Sequence, residues 1–352
     1  MATTAWLLLA ACSPVGNRAH AALGANGGNL DKLQPNSSSN PLLAVKKSPG
    51  CGVAPSQELG SFVKYSIATS GTKAADCAAK DANSTPVCGP WSVTRDYYVW
   101  LPVGYNPNRA YPLVFQGPGC GGSGKDVYPL ANAAGPSVGN SVIRVGLTPP
   151  PRSVGHGTNP NQGCFDDKEG DDSVDFVFYE RLRDTLKNQF CYDENRVFAA
   201  GNSSGSWLAN ELACKYSGNT QGYGLRGIVA NTGGLPTEAA FRPTCTSSPM
   251  SGMWIQEIGD PVNPFSGNVV AINRALTVNG CSSTSYEGAQ LDDYPIGGGN
   301  PDATCKLIRG CPTLHPLVVC ALNGNAHAPH DSVANPGAST YLSKFLSPPF
   351  TN

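Results

Sequence analysis

A chain of 352 residues with 40% hydrophobic residues is long enough to bury one large core or two modest ones. Only 14% of its residues are charged and its formal net charge is −1, so it carries no electrostatic footprint for a polyanion. Nucleic acid and acidic membrane surfaces are excluded as partners on that ground.

At the start, Ala5 to Ala11 form a short apolar run ending in Leu9-Ala10-Ala11-Cys12, the pattern of a bacterial lipobox whose cysteine is acylated after signal cleavage. Residues 1–21 therefore read as an export signal, with lipidation at Cys12 or cleavage near Ala19-His20-Ala21 as its alternative ends. No Lys or Arg precedes the run, which makes the n-region atypical. The expectation is a bacterial protein, either freely secreted or a lipoprotein of the periplasm or outer surface, touching a membrane only through that N-terminal anchor. Residues 22–50, rich in Asn, Ser, Gly and Pro without an apolar period, read as a flexible linker, and residues 51–352 as the folded domain. Setting Cys12 aside leaves twelve of the 13 cysteines, an even number that suits disulfides in an exported protein. The spacings from Cys305 to Cys311 and from Cys311 to Cys320 lack the close pairs of a zinc site, so no metal is expected on cysteine.

Within the domain, apolar runs occur at Tyr97–Leu101, Tyr111–Phe115, Ser141–Val145, Arg196–Ala200, Gly227–Ala230, Met253–Ile258 and Leu317–Cys320. Helical patterns fall between them, and such alternation predicts an α/β domain with a mostly parallel central sheet covered by helices. Val174, Phe178, Leu182, Leu186 and Phe190 recur at helical spacing, marking an amphipathic helix capped by Asp171 or Asp172. The acidic stretch from Asp166 to Asp172 reads as the solvated approach to that cap, since its spacing is not that of a calcium loop.

The most informative segment is Gly201-Asn202-Ser203-Ser204-Gly205, set between the run ending at Ala200 and the helical pattern from Trp207 to Cys214. A serine hydroxyl is a weak nucleophile unless a tight turn lifts it clear of the sheet and aims a helix N-terminus at the developing charge, and strand, G-x-S-x-G, helix supplies that. Ser203 is the candidate nucleophile. It needs a base, and the base needs a carboxylate to orient it. Asp260, in Gly259-Asp-Pro-Val-Asn-Pro264 after the run ending at Ile258, would emerge at the C-terminal edge of the sheet; its competing role is a turn-forming Asp before Pro. Of the five histidines, His327 in Gly324-Asn-Ala-His327 follows the last strand and is preferred to His330, because a base must be held rigidly. His315 reads as structural, and His156, in the Gly-rich loop before Cys164, either as a residue lining the substrate cleft or as an exposed one. Pro329 breaks any helix that would align His327 and His330 on a metal. The oxyanion requires two N–H donors, one from Ser204 and one from the loop Gly117-Pro-Gly-Cys-Gly-Gly-Ser-Gly124. Pro118 has no N–H, so Cys120 or Gly121 supplies it, and a disulfide between Cys120 and Cys164 would stiffen that loop. Trp207 and Trp254 are candidates to stack on a phenolic acyl group, with core packing as the competing reading.

The segments Tyr111–Phe115 with Gly119-Cys-Gly-Gly122, Cys191-Tyr-Asp-Glu-Asn-Arg-Val-Phe198 with Gly201–Gly205 and Leu212-Ala-Cys214, Gly259-Asp-Pro261, Asn279-Gly-Cys281, and Gly324–His327 together resemble the secreted feruloyl esterase and polyhydroxybutyrate depolymerase family of α/β-hydrolases. The resemblance spans about residues 95–346. It implies a disulfide-braced α/β-hydrolase fold with Ser203 as nucleophile, Asp260 as acid, His327 as base, the N–H groups of Ser204 and Cys120 as oxyanion hole, and neither cofactor nor metal. It also implies a disulfide from Cys191 to Cys214 that braces the nucleophile turn. The chain departs from the family at Pro118, where a histidine is usual, and at Ser206 and Trp207, where a small residue is usual. The expected function is a secreted or lipid-anchored serine carboxylic-ester hydrolase that acts through an acyl-enzyme on hydroxycinnamoyl-polysaccharide esters of plant cell walls. The alternatives are a depolymerase of polyhydroxybutyrate, a short-chain polyester, and an inactive binding protein on a hydrolase scaffold. The first is preferred because little chain follows His327 to carry a polymer-binding module.

Overall fold

The computed structural model describes residues 44–73, 89–127, 142–151, 163–166, 169–218, 222–245, 248–294 and 305–327. The expected export signal with Cys12, the linker up to residue 43, and both His156 and His330 lie outside the described residues.

Strands β1 (Phe62–Lys73), β2 (Gly89–Trp100), β3 (Tyr111–Gly117), β4 (Ile143–Leu147), β5 (Tyr192–Asn202), β6 (Gly227–Asn231), β7 (Ser251–Glu257), β8 (Leu291–Asp293), β9 (Cys305–Ile308) and β10 (Leu317–Leu322) form one sheet. Their spatial order is β1-β2-β4-β3-β5-β6-β7-β10-β9-β8. The central strands from β4 to β10 run parallel, and antiparallel strands close both edges. Each apolar run expected as a strand lies in one of these parallel strands or in β2. Strands β3, β4, β6 and β7 are buried at every residue, which is why they read as continuous apolar runs rather than as alternating ones. This strand order, with helical crossovers, is the α/β-hydrolase fold.

Three α-helices of the described chain lie against the sheet: α1 (Val174–Gln189), α2 (Ser204–Tyr216) and α3 (Phe265–Asn279). Helix α1 buries Val174, Phe178, Leu182 and Leu186 as its spacing predicts. Its cap is neither Asp171 nor Asp172 but Ser173, whose hydroxyl accepts the Asp175 N–H. The two aspartates instead form a 3₁₀ turn with Gly170, and the Asp171 carboxylate is taken up by Thr244 and Lys215. Deeper in the core, Arg95 of β2 pairs with Asp175 of α1 at 2.6 Å and lies over the Phe178 ring, while Asp175 also accepts the Asp166 N–H. A buried ion pair gives little net stability, but it fixes which segments meet, here β2, α1 and the chain just after Cys164.

Disulfides join Cys51 to Cys191, Cys120 to Cys164, Cys214 to Cys245, Cys281 to Cys311 and Cys305 to Cys320. The second is the bond expected for the glycine-rich loop. The expected pairing of Cys191 with Cys214 does not occur. Cys191 is held on the β3 side, where its N–H donates to the Tyr105 hydroxyl and its carbonyl accepts the Tyr111 N–H. Cys214, near the end of α2, faces the chain at Pro243 and bonds to Cys245. The partner of Cys191 is Cys51, the first residue of the expected domain, and the residues just upstream of it are bound as well: Ser48 donates its N–H to Tyr192, Gly50 donates to Lys187, and Lys47 bridges to Asp193. Residues 44–50, read from composition as linker, are thus bound to the domain.

His315 sits just before β10, at the end of the sheet away from the catalytic loops, and the Asn279 side chain ties its carbonyl to the start of β7. Burial, with the Arg226 guanidinium adding to it, pushes the imidazole down to about 4. In the unfolded chain the ring takes a proton near 6.5, so between about 6.5 and 4 the unfolded state binds more protons. The stability linked to neutral His315 is complete above about pH 6.5 and lost as pH falls through 4, a contribution of about 3 kcal/mol. Chemical denaturation of wild type and His315→Gln between pH 7 and 4 should show the wild type losing more stability than the variant over that window.

Candidate active site

In the sheet, β3 lies between β4 and β5, so the crossovers leaving β3 and β5 diverge and open a crevice at their C-terminal ends. The last paired residues there are Gly117 of β3 and Gly201 of β5. The chain at Ser203 turns from β5 into α2 with φ 52° and ψ −119°, a conformation that L residues rarely adopt and that costs about 1–3 kcal/mol when imposed on a serine. Neighbours hold it there. The Ser203 N–H donates to the Asn231 carbonyl at 2.9 Å, and the Ser206 hydroxyl, lying between the Gly201 and Asn231 carbonyls, buttresses the same turn. A Cβ on Gly205 would come within 2.0 Å of the Gly117 carbonyl oxygen, and one on Gly201 within 2.0 Å of the Gly205 carbonyl oxygen. Both glycines of the motif are therefore demanded by backbone contact.

The Ser203 hydroxyl lies 3.0 Å from Nε2 of His327. On the far side of the ring, Nδ1 is 2.9 Å from Oδ2 and 3.2 Å from Oδ1 of Asp260. The Asp260 side chain is fully buried while that of His327 keeps 24% exposure, so the carboxylate is sealed and the ring can reach substrate. Asp260 Oδ1 accepts the N–H groups of Val262 and Asn263 at 2.8 and 3.0 Å. The turn-forming and the ring-orienting readings of Asp260 are both true, because one oxygen closes the turn and both face the imidazole. Asp260 leaves β7 and His327 leaves β10, neighbours in parallel register with Leu322 opposite Glu257, so adjacent strands deliver the two groups to the same edge.

The glycine-rich loop lies against the nucleophile: a Cβ on Gly119 would be 3.4 Å from the Ser203 Cβ and 3.8 Å from its Oγ. Of the two amides left open in that loop, the Gly121 N–H is committed to the Gly163 carbonyl at 2.8 Å, leaving Cys120 as the candidate donor. Ser204 opens α2, its buried side chain directed at the Pro118 carbonyl. Trp207 is half-buried on the first turn of α2 next to Gly233, whereas Trp254 is fully buried and donates its indole N–H to Asn210, which makes it core.

Sequence reading missed the residues that tie these parts together. Thr232, the residue after β6, has φ 59°, rare for a β-branched side chain; its hydroxyl accepts from the Ser203 N–H and lies 3.1 Å from the Asn202 amide oxygen. Its carbonyl accepts the Asn263 side-chain N–H, and Gln256 contacts both Asp260 and the Asn263 carbonyl. The elbow and the acid turn are thereby joined. The only signal for this in the chain is polar residues in otherwise apolar strand ends, which is too common to single out.

No family model matches the chain. It is 25% identical over 258 residues to a probable feruloyl esterase C of Aspergillus oryzae, covering 72% of this chain and 83% of that protein. It is 26% identical over 231 residues to feruloyl esterase C of Emericella nidulans, covering 65% and 75%. Among solved structures it is similar to the acetyl xylan esterase from Aspergillus awamori, with a TM-score of 0.48 and 10% identity over 81% of this chain and 100% of that one. The named relatives come from fungi, and this overturns the bacterial origin read from the lipobox at Cys12. A seven-residue apolar run before a cysteine is too short a pattern to carry an origin. The chain is a carboxylic-ester hydrolase built on the α/β-hydrolase fold and is similar to these proteins named feruloyl esterase C.

Proposed function

We propose that the protein hydrolyses hydroxycinnamoyl esters of plant cell-wall polysaccharides through an acyl-enzyme on Ser203. The observation that carries the chemistry is the unbroken hydrogen-bonded chain from Ser203 Oγ through His327 to the buried Asp260. The acyl group is suggested by the relatives named feruloyl esterase C. The five disulfides among the described residues support folding in an oxidising compartment, hence secretion.

In the first half-reaction Ser203 Oγ attacks the ester carbonyl as its proton passes to His327 Nε2. Asp260, hydrogen-bonded to Nδ1, fixes the tautomer and stabilises the imidazolium that forms. The N–H groups of Ser204 and Cys120 donate to the carbonyl oxygen as negative charge develops on it, a contribution of about 10²–10³-fold per donor in such sites. His327 then protonates the leaving alcohol, and the same groups acting on water release the acid. The half-buried ring of Trp207, one turn along α2 from the nucleophile, offers a wall for an aromatic acyl group.

Ser203→Ala should abolish hydrolysis without loss of fold, and a serine-reactive phosphonate should label Ser203; a label on Ser204 or Ser206 contradicts the assignment. Asp260→Asn and His327→Ala should each lower kcat by roughly 10³–10⁴-fold, and the double variant should be little worse, because members of a triad act as a unit. For the acyl group, methyl ferulate should be cleaved faster than p-nitrophenyl butyrate and a polyhydroxybutyrate suspension should stay turbid. Clearing of the suspension without release of ferulate would reverse the assignment.

A further inference from the structure

A general base on a loop is only as well placed as its main chain. The ring of His327 is oriented by Asp260, but its backbone arrives on the short segment that follows the end of β10 at Leu322. Two main-chain bonds carry the pairing of β7 with β10 past the strand ends: the Ile258 N–H donates to Leu322 at 2.9 Å, and the Gly259 N–H to Gly324 at 2.9 Å. Beyond Gly324 the support changes in kind. The N–H of Ala326, the residue before the base, donates to Oε2 of Glu257 at 2.5 Å. Glu257 is the last residue of β7 and is only 8% exposed. Its carboxylate occupies the space in front of Gly324, where a Cβ would come within 2.1 Å of Oε2 and 2.4 Å of Cδ. The loop thus has a glycine where the carboxylate enters it.

We propose that Glu257 is a positioning residue for the reaction: by accepting the Ala326 N–H it fixes the backbone that carries His327. This rests on the reading of His327 as the base. The hydrogen bond is charge-assisted and its acceptor belongs to a buried residue, which strengthens such a bond. Asp260 follows Glu257 by one turn, with its N–H directed at the Glu257 carbonyl at 3.3 Å. One short segment at the end of β7 therefore supplies both the carboxylate that orients the ring and the carboxylate that holds the chain bearing it. Glu257 acts on the reaction only through His327.

The test compares wild type, Ser203→Ala, Glu257→Ala and Glu257→Gln on p-nitrophenyl butyrate, with phosphonate labelling of Ser203 timed in parallel. Glu257→Ala should lower kcat by about 10–100-fold with KM within about twofold, since a displacement near 1 Å of a catalytic group costs on that order. The labelling rate should fall by the same factor. Glu257→Gln keeps an oxygen that accepts the Ala326 N–H and should restore kcat to within about threefold of wild type. If Glu257→Ala does not fold, Glu257→Asp, which keeps the charge but stops one methylene short of Ala326, should show the same fall in kcat. Wild-type kcat in the Ala or Asp variant, a rise of KM in step with the fall of kcat, or a Gln variant as slow as the Ala variant overturns the inference. Activity retained by Ser203→Ala overturns instead the catalytic reading beneath it, so the two failures are distinct.

Discussion

The structure depends on one close approach of backbones, where the turn from β5 into α2 presses on the end of β3. Gly205 lies so near the Gly117 carbonyl that a single methyl group there would collide with main chain. That contact brings the nucleophile, the helix N-terminus and the glycine-rich loop into one crevice, and neither partner can retreat because Gly117 is still paired to Gly201 in the sheet. The rare backbone conformation of Ser203 is a consequence. The alternative, a relaxed turn, would withdraw the serine from the edge and separate it from His327.

A second strained residue shares the cost. Thr232 follows β6 at positive φ and accepts the Ser203 N–H with its hydroxyl, while its carbonyl receives Asn263 from the acid turn. Strain persists where surrounding bonds over-determine it, and here the bonds that impose it on β6 are the bonds that connect nucleophile to acid. The disulfide from Cys120 to Cys164 does the same for the third part of the site. It joins the exposed glycine-rich loop to a segment anchored through Asp166 on the Asp175–Arg95 pair.

Much of this was legible in the chain because the relevant signals are local. Parallel strands buried on both faces appear as apolar runs, and the elbow as G-x-S-x-G between strand and helix. Asp260 and His327 follow from their places after β7 and β10. Strand β1 was not legible: Phe62–Lys73 mixes polar and apolar residues, since it is an edge strand that owes its position to pairing with β2 along its whole length. The disulfide of Cys191 was not legible either. Its partner, Cys51, is 140 residues away, next to a segment whose composition reads as linker and which is held by bonds to β5, to α1 and to the chain at Asn108. The cap of α1 shows a smaller version of the same limit: Asp171 and Asp172 read as caps, but the turn they form with Gly170 leaves the following Ser173 to serve.

The charges at the end of β7 pose the last question, because two carboxylates three residues apart would repel if they faced one another. They have different tasks. Asp260 accepts two main-chain N–H groups and the imidazole, and Glu257 accepts the Ala326 N–H from the loop beyond. Each negative charge is matched by donors fixed in the backbone, which cost nothing to reorganise when the imidazolium forms. An arrangement with one carboxylate would leave either the ring or the loop without its support. Side-chain cations in place of these amides would compete for the aspartate with His327 and weaken the interaction on which the base depends.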